Sequence, residues 1–253
     1  MFFSCVKNVI INTMGDNEKK PIIELKNIIK EFRIGKTMMR VLKDISLQIF
    51  PEEFVIILGP SGSGKSTLVN TILGLERPSS GSVVVQGREL TKLSLDQLAR
   101  MRLKSFGVVY QRPDWVRSLS VLQNVAIPYQ IMGRSTRESN KRAHELLARF
   151  NLDDHAKYSP VELSGGQQQR VEIARSLMID ADIIVADEPT GNLDSYSAEK
   201  VMEIFENLRK ELHKTVIMVT HNMEYVRYAT KTIYVRDGRV FQGDQTIGTN
   251  QPK

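Results

Sequence analysis

A chain of 253 residues, 41% of them apolar and 25% charged, can bury a substantial core and is too ordinary in composition to be fibrous or unstructured. Its length suits one large domain, or one domain with an inserted subdomain, and argues against two independent ones. A net charge of +6 and a pI near 9.3 would suit nucleic acid or anionic lipid, but the basic residues are scattered among acidic ones, so the charge reads as a solvated surface and no nucleic-acid partner is expected.

No apolar run approaches the roughly 18 to 20 residues that cross a bilayer as a helix. Residues 1–20 are expected to be a flexible leader. Met1 to Ile11 is rather apolar but carries Lys7, with no basic segment before it and no small-residue cleavage site after it. Met14 is an alternative start. The single cysteine, Cys5, excludes an intramolecular disulfide framework, and the cytosol is the natural compartment.

In chain order, β-like runs are expected at Ile22 to Leu25, Val41 to Gln48 and Phe54 to Leu58, the last apolar throughout as a doubly buried parallel strand should be. Met38 and Met39 read as a mobile hairpin tip. A glycine-rich turn and a helix from Ser66 to Leu73, closed by Gly74, come next, then a strand at Val83 to Gln86. Ser94 with Gln97 is a capping box opening a helix with Leu95, Leu98 and Met101; Ser135 with Glu138 opens another with Ala143, Leu146, Leu147 and Phe150 on one stripe. Residues 92–165 therefore read as a mainly helical insert. Beyond it come a helix after Gly166, a buried strand from Asp182 to Ala186, a helix with Val201, Ile204, Phe205, Leu208 and Leu212, a strand from Thr215 to Thr220, and a hairpin at Asp237-Gly238. The alternation predicts a doubly wound α/β sheet over 21–243, with a polar tail over 244–253.

Gly59-Pro60-Ser61-Gly62-Ser63-Gly64-Lys65-Ser66 fits G-x-x-x-x-G-K-[ST] between an apolar strand and a helix, as a phosphate cradle requires. The glycines let backbone N–H groups turn onto phosphates at the positive end of the helix; Lys65 reaches the β and γ phosphates and Ser66 can ligate Mg²⁺. Asp187 ends the run Ile183-Ile184-Val185-Ala186, at the carboxyl edge of a strand where a second metal ligand would stand. Glu188, pointing differently, could polarise a water for in-line attack. Leu163-Ser164-Gly165-Gly166-Gln167 opens a second helix with a serine and two glycines, a second anion-seeking terminus in the same chain. His144, His155 and His213 lack metal-ligand spacing and read as surface or packing residues.

At these segments, over residues 20–243, the chain resembles the ATP-binding cassette family: the cradle is similar to its Walker A, Ile183 to Glu188 to its Walker B, and Leu163 to Gln167 to its signature. The resemblance implies a P-loop NTPase fold with a RecA-like core, an N-terminal antiparallel β subdomain and a helical subdomain. It also implies ATP and Mg²⁺ as cofactors, with residues Gly59 through Ser66 and Thr67 contacting ATP. It adds Gln111 at the edge of the insert, contacting Mg²⁺ and the attacking water, a D-loop at Asn192-Leu193-Asp194, a switch histidine at His221 holding the γ phosphate, and Phe32 stacking on adenine. It implies a second copy of the chain as partner, each signature closing over the other's ATP, and an integral membrane permease, with the chain peripheral on the cytoplasmic face.

Pro189 to Asp194 and Ser164 to Arg170 resemble the subgroup serving macrolide exporters, lipoprotein-release complexes, antimicrobial-peptide detoxifiers and a cell-division regulator. Arg112-Pro113-Asp114-Trp115 departs from the more uniformly apolar stretch of that subgroup, and Trp115 reads either as an interface anchor or as packing of the insert. A transport ATPase is the leading reading. A signalling or cell-division complex and a soluble non-transport ATPase stand as alternatives.

Overall fold

The computed structural model describes residues 20–243, so the tail and all of the leader but Lys20, with Cys5 and Met14, lie outside the described residues. Strands β1 (Ile23–Ile34) and β2 (Thr37–Ile49) form an antiparallel hairpin about Gly35 and Lys36. Both run well beyond the segments read from sequence, because their distal halves are solvent-facing and lack the apolar alternation that marks a half-buried strand. Met38 and Met39 accordingly stand in β2, paired with Arg33 and Phe32, and are not part of a loose tip. Strands β4 (Ser80–Val85) and β5 (Arg88–Glu89) complete a four-stranded sheet of order β2-β1-β4-β5.

The second sheet is built on β3 (Phe54–Leu58), whose five residues are all buried. With β6 (Phe106–Tyr110), β7 (Ile183–Asp187), β8 (Thr215–Val219), β9 (Lys231–Arg236) and β10 (Arg239–Gly243) it has the order β10-β9-β3-β8-β7-β6, parallel except for the terminal hairpin. The pleat divides the core in two. Phe54, Ile56 and Leu58 face a cluster built with α3 (Val121–Ile131), α4 (Thr136–Arg149), α5 (Gly165–Ser176) and α6 (Ser195–Lys210). Val55 and Ile57 face a second cluster with α1 (Lys65–Ile72), α2 (Leu95–Ser105) and the antiparallel sheet. Each fully buried Val, Leu or Ile stabilises the fold by about 1.5 to 3 kcal/mol, so both faces of the sheet are firmly covered.

Side-chain oxygens cap the helices: Ser94, Ser120, Ser135 and Ser164 each form a capping box with the residue three positions on. Leu98 and Met101 of α2 are buried, but Leu95, expected on the same stripe, is 75% exposed; in the first turn it sits beyond the reach of the core. Within 92–165, β6 belongs to the main sheet, and the helical excursion between β6 and α5 consists of α3, α4 and two short 3-10 turns at Asp153–His155 and Pro160–Glu162. Gly107 permits this arrangement: a β-carbon there would lie 2.4 Å from the Ser176 carbonyl at the end of α5.

Candidate nucleotide site

The cradle leaves β3 at Gly59, whose φ of 148° no side chain favours and where a β-carbon would collide with the Val235 carbonyl at 2.1 Å. Gly64, at φ 105°, starts α1 with neither a side-chain cap nor an acidic residue in the first turn, leaving its N–H groups and positive end open to an anion. Lys65 folds back and donates to the carbonyls of Gly59 (2.7 Å) and Pro60 (2.9 Å). Gly238 donates to the Ser63 carbonyl at 3.0 Å and accepts from Lys43 N–H at 2.7 Å, pinning the loop to the β9–β10 turn. The buried Ser63 Oγ has no hydrogen-bond partner, and the exposed Ser66 is free to take a ligand.

Asp187 ends β7, in register with Val219 on one side and Tyr110 on the other. Burial raises its carboxyl above the ordinary range, the Glu188 charge raises it further, and the Lys65 ammonium opposes them. Glu188 adopts φ 47° and donates its N–H to the Val219 carbonyl at 2.9 Å. Its Oε1 lies 2.9 Å from Nδ1 of His221, which follows β8 and is largely exposed.

Gln111 follows β6 and is exposed; its backbone carbonyl accepts from Asn192 Nδ2 at 3.5 Å, and its amide lies so near Gly191 that a β-carbon there would meet Nε2 at 2.6 Å. Leu163 is buried. Ser164 caps α5, with Oγ accepting from Gln167 N–H at 3.3 Å and its own N–H donating to Gln167 Oε1 at 2.9 Å. β-Carbons on Gly165 and Gly166 would stand 3.3 Å from Leu193 and 3.0 Å from Ser197 Oγ, so the glycines set α5 against the start of α6. Asp194 caps α6 through Ser197 N–H at 2.9 Å, and the Ser197 contacts hold its carboxyl below the ordinary range. Gln111, Gly165, Gln168, Pro189, Asn192 and Leu193 line a shared cavity of about 170 Å³. Phe32 lies half-buried on β1, opposite Met39.

Several contacts were not anticipated from the sequence. His155 Nε2 is 3.0 Å from Gln167 Nε2. Glu172, fully buried on α5, is paired with Arg175, whose Nη1 donates to the Asp114 carbonyl at 3.0 Å and whose guanidinium lies 5.0 Å from the Trp115 ring. Trp115 is partly buried against the core and donates Nε1–H to Gln168 Oε1 at 3.2 Å. A buried carboxylate is visible in a sequence only once the helix face it occupies is known.

Residues 42–191 match the family model described as ABC transporter. The chain belongs to the ABC transporter family. This cassette is 46% identical over 224 residues to the macrolide export ATP-binding/permease protein MacB of Mannheimia succiniciproducens, covering 88% of the chain and 35% of that protein. It is 44% identical to MacB of Escherichia coli K12, covering 90% of the chain and 35% of that relative. The chain thus spans about a third of the length of the curated relatives it matches. Its structure resembles a dimeric post-hydrolysis state of the ATP-binding cassette MJ0796 bound to ADP and Pi, with a TM-score of 0.82 and 39% identity, covering 88% of this chain and 98% of that one. It also resembles cbiO1 from Clostridium perfringens, part of the ABC transporter complex cbiONQ, with a TM-score of 0.78 and 29% identity, covering 89% of each chain. The cassette is an ATP-binding, ATP-hydrolysing domain of P-loop architecture.

Proposed function

We propose that two copies of this cassette close head to tail over two ATP molecules and drive a membrane permease of the export or mechanotransmission kind. The observation that carries the reading is the pair of helix termini. α1 begins uncapped in the cradle and α5 begins at Ser164 with two glycines, and no hydrogen bond or ion pair joins residues 163–167 to 59–67 among the described residues. One nucleotide held by one chain would leave the second terminus unused. A second copy gives it the γ phosphate of the other chain's ATP.

In this reading Gly59 through Thr67 hold the phosphates, Lys65 leaves the Gly59 and Pro60 carbonyls for the β and γ phosphates, and Phe32 stacks on adenine. Ser66, Asp187 and Gln111 would hold Mg²⁺. The fit is sound: Mg²⁺ takes one or two protein carboxylates together with phosphate oxygens, and Asp187 offers a half-buried carboxyl at the end of β7 beside Lys65, where a bound cation would favour its ionised form. The ion would neutralise charge on the phosphates. Glu188 takes the proton of the attacking water, His221 orients that carboxylate and reaches the γ phosphate, and the D-loop residues Asn192, Leu193 and Asp194 link the signature to the opposite site.

The permease would dock beside the segment that follows Gln111, placing the cassette at the cytoplasmic face. In support, the MacB relatives are named as ATP-binding/permease proteins, and among the described residues no helix is long and apolar enough to cross a membrane. Sedimentation of Glu188→Gln tests the dimer: it should be dimeric with saturating MgATP and monomeric without. A trapped protein that stays monomeric at high concentration overturns closure by the cassette alone.

A further inference from the structure

Phe32 is clamped from behind. The Lys30 ammonium lies 4.7 Å from the centroid of its ring. The same Nζ is 2.8 Å from Glu76 Oε2 and donates to the Arg77 carbonyl at 2.8 Å. An ammonium has three N–H donors, and these contacts account for two on oxygen and one toward the ring. The lysine side chain is only 12% exposed, whereas Glu76 is 38% exposed, so the ion pair is partly screened by solvent.

Both oxygen partners lie in the turn just beyond the far end of the cradle helix, which closes at Ile72. Leu75 and Glu76 donate their N–H groups to the Asn70 carbonyl of α1, at 2.8 and 3.1 Å. The near end meets the same β ribbon: a β-carbon on Gly64 would lie 3.2 Å from the Val41 carbonyl and from the Leu42 side chain. Val41 is two residues along β2 from Met39, the partner of Phe32, so the backbone at Phe32 lies roughly 7 Å along the ribbon from the residue that meets Gly64, at about 3.4 Å per residue. Ring and cradle are therefore tied at both ends of α1.

We propose that Lys30 is a positioning residue for the base of the nucleotide, holding Phe32 at a fixed place relative to the phosphate cradle. This rests on the reading of Phe32 as the adenine-stacking residue. With the cation on one face of the ring, the other face is left for the base. The cation also draws on the π electrons, easing face-to-face approach of an electron-rich purine. Phenylalanine has no hydroxyl with which to anchor itself, and Lys30 supplies the missing anchor from behind.

The test compares Lys30→Met, Lys30→Arg and Phe32→Ala in the full chain, measuring steady-state ATPase kinetics and competitive inhibition by inorganic tripolyphosphate, a probe of the cradle without a base. Lys30→Met should raise KM for ATP about fivefold, the effect of one partly desolvated cation–π contact, with kcat and the tripolyphosphate constant retained. Lys30→Arg should recover most of the loss. If Phe32→Ala raises KM and Lys30→Met leaves it within twofold of wild type, Lys30 does not position the ring. Tripolyphosphate binding weakened in parallel with ATP would mean general damage to the cradle and would equally end the proposal. A Phe32→Ala variant with normal KM removes the base-stacking reading itself and this inference with it.

Discussion

Nδ1 of His221 stands 2.9 Å from Oε1 of Glu188, joining the second residue after β8 to the first residue after β7. Glu188 makes this contact from a left-handed backbone conformation, φ 47°, directly after Asp187 ends β7. If Glu188 is the base for the attacking water, Glu188→Gln should lower turnover about a hundredfold or more while nucleotide still binds. Turnover within threefold of wild type, measured by phosphate release, would remove Glu188 from that role.

Lys65 is predicted to act on binding. Its ammonium donates to two carbonyls of the loop and opposes the raised Asp187 carboxyl. Lys65→Ala should weaken ATP binding by about tenfold or more, the loss of a charge-assisted contact of about 1.5 to 3 kcal/mol. Equilibrium titration with a fluorescent ATP analogue reads it directly, and unchanged affinity would contradict the assignment.

Much of the order of strands and helices was legible because the parallel strands are apolar on both faces and several helices begin with a serine box, but α3 was not read although Ser120 and Gln123 open it in the same way. The lengths of β1 and β2 were not, since exposed strand residues obey no alternation. Nor was the place of β6: Phe106 to Tyr110 reads as a short apolar run inside helical sequence, and only its pairing with β7 makes it a strand of the core. At the site, motif spacing named the cradle, Asp187 and Glu188. The clamp of Lys30 on Phe32 depends on a contact with residues 76 and 77, which no local pattern encodes.

Ser164 has a structural duty separable from its proposed one across the dimer. As the N-cap of α5 it accepts from Gln167 N–H, and Ser164→Ala should cost about 1 kcal/mol of stability, seen as a lower urea midpoint. Ser164→Asp keeps the cap but adds a charge toward the opposing γ phosphate. It should therefore fold with wild-type stability and fail to dimerise with ATP. Dimerisation of that variant at wild-type ATP concentrations would show that Ser164 does not face the nucleotide.

Trp115 read from sequence as either an interface anchor or packing for the insert, and the structure gives it a partly buried place between Gln168 and Arg175. Trp115→Ala should cost about 2 kcal/mol, below the 3 to 5 of a fully buried tryptophan. A Trp115→Phe variant retains most of the apolar contact. If it keeps the stability but loses co-purification with the permease, the tryptophan also serves the docking surface; if binding is normal, its role is confined to packing.

The Glu172–Arg175 pair carries the pH dependence that can be checked with the sign fixed in advance. Burial dominates and raises the Glu172 carboxyl above 4.5, with the Arg175 charge and hydrogen bond opposing it. A raised folded-state pKa means that the folded protein holds this proton more tightly than the unfolded chain. The group therefore favours folding most at acid pH, and its contribution declines as pH rises from the unfolded value through the folded one. The stability of wild type relative to Glu172→Gln, from urea unfolding at several pH values, should fall over that window and level off above it. Arg175→Met removes the partner and leaves a buried carboxylate unpaired, which should cost about 3 to 5 kcal/mol near neutrality and less at acid pH, where the carboxyl is protonated. Equal losses for Arg175→Met at both ends of the range would mean that Glu172 is neutral in the folded protein throughout, and that the arginine acts through Trp115 and the Asp114 carbonyl alone.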